Sequence, residues 1–154
     1  WLSTMLTNLG ILALVVFVIS LTGVATFLLL YLPMMVVGAS IGVWLFYVQH
    51  QFEQTYWEPA SDWSQPDAAL HGSSFYDLPR WLMWLTGNIG IHHLHHLSSR
   101  IPFYRLPEAL ADYPELRAIG RLTLWQSLAS VRLTLWDAGR RRMVPFAALR
   151  QRAA

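Results

Sequence analysis

The chain has 154 residues, 55% of them apolar and only 13% charged, with a formal net charge of +2. That length suits one domain, but the charged fraction is far below the roughly one quarter typical of soluble domains. There is no cysteine, which excludes disulfides, thiolate-held iron–sulfur clusters and Cys-based zinc sites. Any metal must be held by nitrogen or oxygen.

Charge is distributed very unevenly. Residues 1–52 contain no Asp, Glu, Lys or Arg, and all nine acids and eleven bases lie at Glu53 or later. The chain opens on Trp1 and becomes apolar almost at once, with no basic leader and no small-residue cleavage site. It does not read as a signal peptide; it reads as starting inside something longer.

Residues 8–30 (NLGILALVVFVISLTGVATFLLL) are long enough to cross a bilayer, for which about twenty residues suffice. Tyr31-Leu32-Pro33 is expected to break this stretch, with Pro33 in the first turn of a second helix. The second apolar stretch covers residues 33–50, and its Trp44 and Tyr47 suit a membrane interface. The pair predicts a tight transmembrane hairpin. Two buried core helices of a soluble protein are the alternative, which so long an uncharged stretch disfavours. A hairpin returns His50 to the side on which the rest of the chain lies. The arginines of the second half place that side in the cytoplasm.

Residues 53–77 are polar and turn-rich and are expected to form a loop. Residues 78–97 predict one helix, with Trp81, Leu82, Trp84 and Leu85 giving an apolar face that lies in the membrane interface or caps the hairpin. Residues 98–154 predict a cytoplasmic helical tail. In it Leu124, Leu128, Val131 and Leu135 recur at helical spacing. All eleven bases are arginine, and five of them fall in the last fifteen residues. Beside so apolar a front half they suit solvent or lipid headgroups, and no nucleic-acid partner is expected. The expected fold is therefore all-α and integral to a membrane: a transmembrane hairpin followed by an interfacial and cytoplasmic helical region.

Four of the six histidines stand in HHLHH, at His92, His93, His95 and His96. At about 100° per residue, His96 lies about 40° to one side of His92 and His95 about 60° to the other. These three share a face. His93 lies about 60° beyond His96, so spacing alone does not exclude it. Histidines at i and i+4 on one helix face are a metal-binding arrangement. His71, alone in a polar stretch, is better read as an ordinary surface residue. Imidazole suits zinc, copper, iron and nickel. The box lacks HExxH and has no nearby Glu to serve as a protease base, and four clustered histidines exceed what one catalytic zinc needs. That favours more than one metal ion.

The setting of the box is informative in its own right. TGNIGIHHLHHLSSRIPFYRL resembles the third histidine box of the membrane fatty acid desaturases. FYVQHQFEQTYW upstream and RLTLWQSLASVRLTLWDAGRRRMVPF downstream also resemble that family, and in particular bacterial acyl-lipid desaturases similar to the Δ12/ω-6 group. The resemblance runs over essentially the whole chain. It implies that His92, His95 and His96 are iron ligands, joined by His50 from the end of the second span. It leaves His93 as a supporting or packing residue, and Asn88 as a group that could orient a ligand or water. It further implies a non-haem di-iron centre, dioxygen as co-substrate, an acyl-lipid substrate and an electron donor such as ferredoxin. The reaction implied is formation of a cis double bond in an acyl chain, in a bacterial inner membrane with the histidine site on the cytoplasmic side.

The family's first two histidine boxes are absent from this sequence. The chain is therefore expected to be the C-terminal part of one desaturase domain and to need the N-terminal half of the same protein for activity. Trp44, Phe46, Trp81 and Trp84 are candidates to line an acyl tunnel, with packing as the alternative role for each. Two other functions fit the residues. One is a lipid or carotenoid hydroxylase or ketolase on the same scaffold, since it too begins with hydrogen abstraction. The other is a non-catalytic metal-binding membrane protein, for which Ser20, Thr22, Thr26 and Ser40 offer little polar lining.

Overall fold

Gly23 ends the first helix. Helix α1 covers Leu2–Thr22 and α2 covers Val24–His50. Gly23 sits between them at φ 79° and ψ 152°, a backbone conformation that glycine adopts without the Cβ penalty. The expected break at residues 31–33 does not form, and Pro33 lies inside α2. A proline removes one N–H, which a long apolar helix can absorb; a positive φ cannot be continued as helix. The expected tight hairpin is not seen either. Helix α1 buries no residue, and α2 buries only Val48 and Gln49, near its end.

The structure, a computed structural model, describes residues 1–152, with side chains through Leu149. It divides into two units, Trp1–Val43 and the chain from Trp44 onward. Helices α1 and α2, the latter continuing into the second unit, are each long and apolar enough to cross a membrane, with mean hydropathies of 2.3 and 2.1. The 21 residues of α1 span about 31 Å at 1.5 Å each, close to the roughly 30 Å hydrocarbon core of a bilayer. Leucines, valines and phenylalanines are exposed along both helices. Each large apolar side chain is worth about 1.5–3 kcal/mol when removed from water. An apolar surface this extensive is far larger than the patches of a few hundred Å² that soluble monomers expose, so it suits an apolar covering.

The second unit is mainly helical but contains two small sheets, where an all-α fold was expected. Strand β1 (Phe75–Asp77) pairs in parallel with β2 (Arg121–Thr123), Tyr76 opposite Leu122. Strand β3 (Leu135–Asp137) pairs antiparallel with β4 (Arg142–Val144). Strands this short leave no readable alternation in the sequence. The helical spacing of residues 124–135 likewise breaks up, into α7 (Leu124–Ser127), a 3₁₀ turn (Leu128–Arg132) and β3.

The polar stretch 53–77, expected as a loop, contains helix α3 (Gln65–His71). Its start is encoded locally: Ser64 accepts a hydrogen bond from the Asp67 N–H, and Pro66 lies in the first turn. The single helix expected over residues 78–97 is two, α4 (Arg80–Leu85) and α5 (His92–Leu97). Gly87 (φ 63°) and Asn88 (φ 57°) separate them. Both are left-handed, a region that glycine enters freely and asparagine tolerates. Helices α6 (Leu106–Asp112) and α8 (Ala147–Arg152) complete the tail.

Two apolar clusters hold this unit. Phe75, Ile91, Leu94, Leu106 and Leu110 form one, and Val48, Tyr76 and Leu78 form the other, with Trp44 packed against it. Trp81, Trp84 and Phe46 remain exposed. The arginine triplet is not a free basic patch. Arg142 pairs with Glu53 at 2.8 Å, Arg141 with Glu58, and Arg140 with Asp137 at 3.8 Å.

Gly90 lies where two backbones meet. Its carbonyl accepts the Tyr76 N–H at 2.7 Å, and a Cβ there would collide with the Tyr76 carbonyl oxygen and the Met83 sulfur. Gly90→Ala is expected to destabilise the fold by about 1–3 kcal/mol, read as an earlier unfolding transition of the detergent-solubilised protein.

Candidate metal centre

The last turn of α2 delivers His50, and α5 delivers the other histidines. The His50 and His96 Nε2 atoms are 3.2 Å apart, and the His96 and His92 Nε2 atoms are 3.0 Å apart. One ring nitrogen from each of the three lies within 4.8 Å of the others. His92 and His96 meet because they are i and i+4 on one helix. His50 comes from 42 residues earlier in the chain.

The fourth expected ligand, His95, is not in this three-nitrogen group. Its ring stacks beside that of His92, with centroids 5.6 Å apart. His93 leaves the site altogether. It is fully buried, packs against the Phe75 ring, and its Nε2 donates to the Leu116 carbonyl at 3.0 Å. Asn88 donates its amide N–H to the Phe103 carbonyl at 3.1 Å, so it anchors a turn. His71 lies at the exposed end of α3, outside the cluster.

Protonation decides what this cluster can do. The His50 Nδ1 faces the Phe46 carbonyl at 2.8 Å. A carbonyl only accepts, so Nδ1 carries the proton and Nε2 keeps its lone pair. This is the support that metal-binding imidazoles commonly have. The sequence offers Phe46 only as a tunnel residue; its role here runs through its backbone carbonyl, for which its position one helical turn before a histidine is the only clue.

Protons alone do not satisfy the group. A single proton on the His96 Nε2 would have to serve both neighbours. His92 would then carry its own proton on Nδ1, which is buried with no hydrogen-bond partner. Without that proton, His50 and His96 would set lone pair against lone pair. A shared cation on the Nε2 lone pairs would remove the second conflict. Ligands about 2.0–2.1 Å from one ion stand about 2.8–3.4 Å apart at octahedral or tetrahedral angles, a range that holds the His50–His96 and His96–His92 separations.

His92 and His96 are also held neutral, as ligands must be. Burial, and then the neighbouring histidines, lower the His92 pKa from 6.5 to about 3. Burial lowers that of His93 to about 4, against the opposing effect of its bond to Leu116. His96 is lowered by burial and by His50 and His95. Among the described residues, no carboxylate joins the group.

The fatty acid desaturase family profile matches residues 1–127 of this chain. The chain belongs to the fatty acid desaturase family. A fatty acid desaturase of Bacillus subtilis (strain 168) is 47% identical over 148 residues, which cover 96% of this chain and 42% of that protein. An sn-1 oleoyl-lipid 12-desaturase of Synechocystis is 42% identical over 59 residues, 38% of this chain and 17% of that protein. A chloroplastic omega-6 fatty acid desaturase of Brassica napus is 37% identical over 62 residues, 40% of this chain and 14% of that protein. The chain thus spans less than half the length of these relatives.

The lowered pKa values set a pH dependence. His92 and His93 take up protons near pH 6.5 when unfolded but only near pH 3 and 4 when folded. Their contribution to stability is therefore complete above about pH 6.5 and lost as pH falls through that window. The metal-free protein is expected to unfold at lower urea concentration at pH 5 than at pH 7. His93→Gln, which does not titrate, should narrow that difference.

Proposed function

We propose that the protein carrying this chain is a membrane acyl-lipid desaturase that uses dioxygen to introduce a cis double bond into an acyl chain. The observation that carries this reading is the convergence of the His50, His92 and His96 Nε2 atoms at the end of a long apolar helix, in a chain of the desaturase family. His50, His92 and His96 are the proposed ligands of one iron ion, and His95 of a second. Bound there, the two ions would supply the dioxygen chemistry that removes two hydrogens from adjacent methylenes.

The chain's own residues prepare the site. The Phe46 carbonyl keeps the His50 lone pair directed at the cluster, and burial keeps His92 uncharged. Two irons need more donors than these four, so further histidines of the same longer protein complete the set. This chain is then the C-terminal part of one desaturase domain. The coverage of the Bacillus relative, 42% of its length, supports the chain being part of a longer protein.

Electron counting requires a partner. Forming the double bond releases two electrons, whereas reducing dioxygen to two waters takes four. The other two come from a donor such as ferredoxin. The apolar helices suit a bacterial inner membrane, and the arginines of the second half favour a cytoplasmic histidine site. The hydroxylase, ketolase and non-catalytic readings are not favoured, since the relatives described above are named as desaturases.

The test is to express the full-length protein in a bacterial host and profile its lipids. A new double bond should appear with the wild type and disappear in His50→Ala, His92→Ala and His95→Ala. Purified protein should contain two irons per chain. An unchanged lipid profile, or a single zinc, would remove the reading.

A further inference from the structure

Gln49 stands beside a proposed ligand, yet it is 2% exposed. Its Nε2 donates to the Ile89 carbonyl at 3.0 Å, across 40 residues of sequence. Ile89 lies in the turn that leads into the histidine helix, three residues before His92. One end of this bond is therefore fixed to the chain at His50, and the other to the chain at His92. It is a direct side-chain bridge between the segments that deliver the two halves of the cluster. Backbone bonds through residues 74–76 also join those segments: the Ser74 N–H bonds the Gln49 carbonyl at 2.9 Å, and the Tyr76 N–H bonds the Gly90 carbonyl at 2.7 Å.

We infer that Gln49 is a positioning residue for the metal centre, setting the separation of His50 from His92 and His96 through its bond to Ile89. The inference rests on the proposed ligand role of those three histidines. A metal tolerates ligand distances only within about ±0.2 Å, and the α2 end and the box turn are separate segments whose spacing must be set by contacts between them. The turn carrying Ile89 is itself defined, by Asn88 in the left-handed region and by the Asn88 amide on the Phe103 carbonyl. Gln49 therefore reaches a fixed acceptor. Gln51 provides an internal comparison: its Nε2 also makes a long-range bond, but to the Leu133 carbonyl in the tail, away from the box.

The experiment uses the full-length protein in detergent, stripped of metal and titrated with cobalt(II), whose visible absorption bands report ligand geometry. Gln49→Met keeps the side-chain length but cannot donate, and Gln49→Asn keeps the amide but is too short to reach. Both should bind cobalt(II) about 10–100-fold more weakly, the cost typical of losing a group that orients a ligand, with displaced absorption bands. Gln51→Met should bind as wild type does, even if it melts earlier. If His50→Ala also binds cobalt(II) as wild type does, the ligand assignment fails. If His50→Ala loses binding while both Gln49 variants match wild type in affinity and spectrum, the Gln49 inference alone fails. Failure of both Gln49 variants to fold would make Gln49 a general stability residue and would also overturn the inference.

Discussion

The backbone of residues 74–76 is hydrogen-bonded to both sides of the histidine cluster. Ser74 is tied to the end of α2 through the Gln49 and Val48 carbonyls. Tyr76 bonds the Gly90 carbonyl, and Phe75 forms a bridge with Ile91 just before the box. Closing the roughly 40-residue loop between His50 and His92 costs about 3 kcal/mol in chain entropy. Burial of Val48, Tyr76, Ile91 and Leu94 around this junction, at about 1.5–3 kcal/mol for each large apolar side chain, exceeds that cost. The site therefore depends on a three-residue strand whose register is fixed by its pairing with β2.

The same unit keeps its carboxylates away from the cluster and uses them elsewhere. Asp77 pairs with Arg121, Glu53 with Arg142, Glu58 with Arg141 and Glu108 with Arg105. The exposed pairs among them contribute about 0–1 kcal/mol each, so they orient loops more than they hold the fold. Burial, and then the neighbouring histidines, govern the His92 and His96 rings. Those two effects favour the neutral, lone-pair-bearing form that a metal needs.

Much of this was legible in the sequence, for reasons that differ from residue to residue. The uncharged stretch before Glu53 announced two long apolar helices, because twenty uninterrupted apolar residues have few other uses. Their junction lies at Gly23 and not at Pro33, because Gly23 takes a positive φ that ends a helix whereas Pro33 gives up only one N–H inside α2. The i, i+4 pair His92 and His96 followed from helical geometry. That His50 would join them followed only from the resemblance, since no local pattern encodes a contact across 42 residues. The small strands and the Gln49 bridge were invisible because both are created by tertiary pairing.

The density of HHLHH is best understood from the size of the helix that carries it. Helix α5 has six residues, too few to be stable by itself, since isolated helices shorter than about 12 residues are marginal. Its order must come from what it buries. Leu94 and His93 supply that burial, the first within the apolar cluster and the second against Phe75 and the Leu116 carbonyl. His92 and His96 are then free to meet His50, and His95 lies beside them. Four histidines in one stretch thus divide their work: one anchors the helix, two join the three-nitrogen group, and one stands at its edge. Counting histidines in such a motif overstates the ligands of any one ion, because a helix this short must spend part of its sequence on holding itself in place.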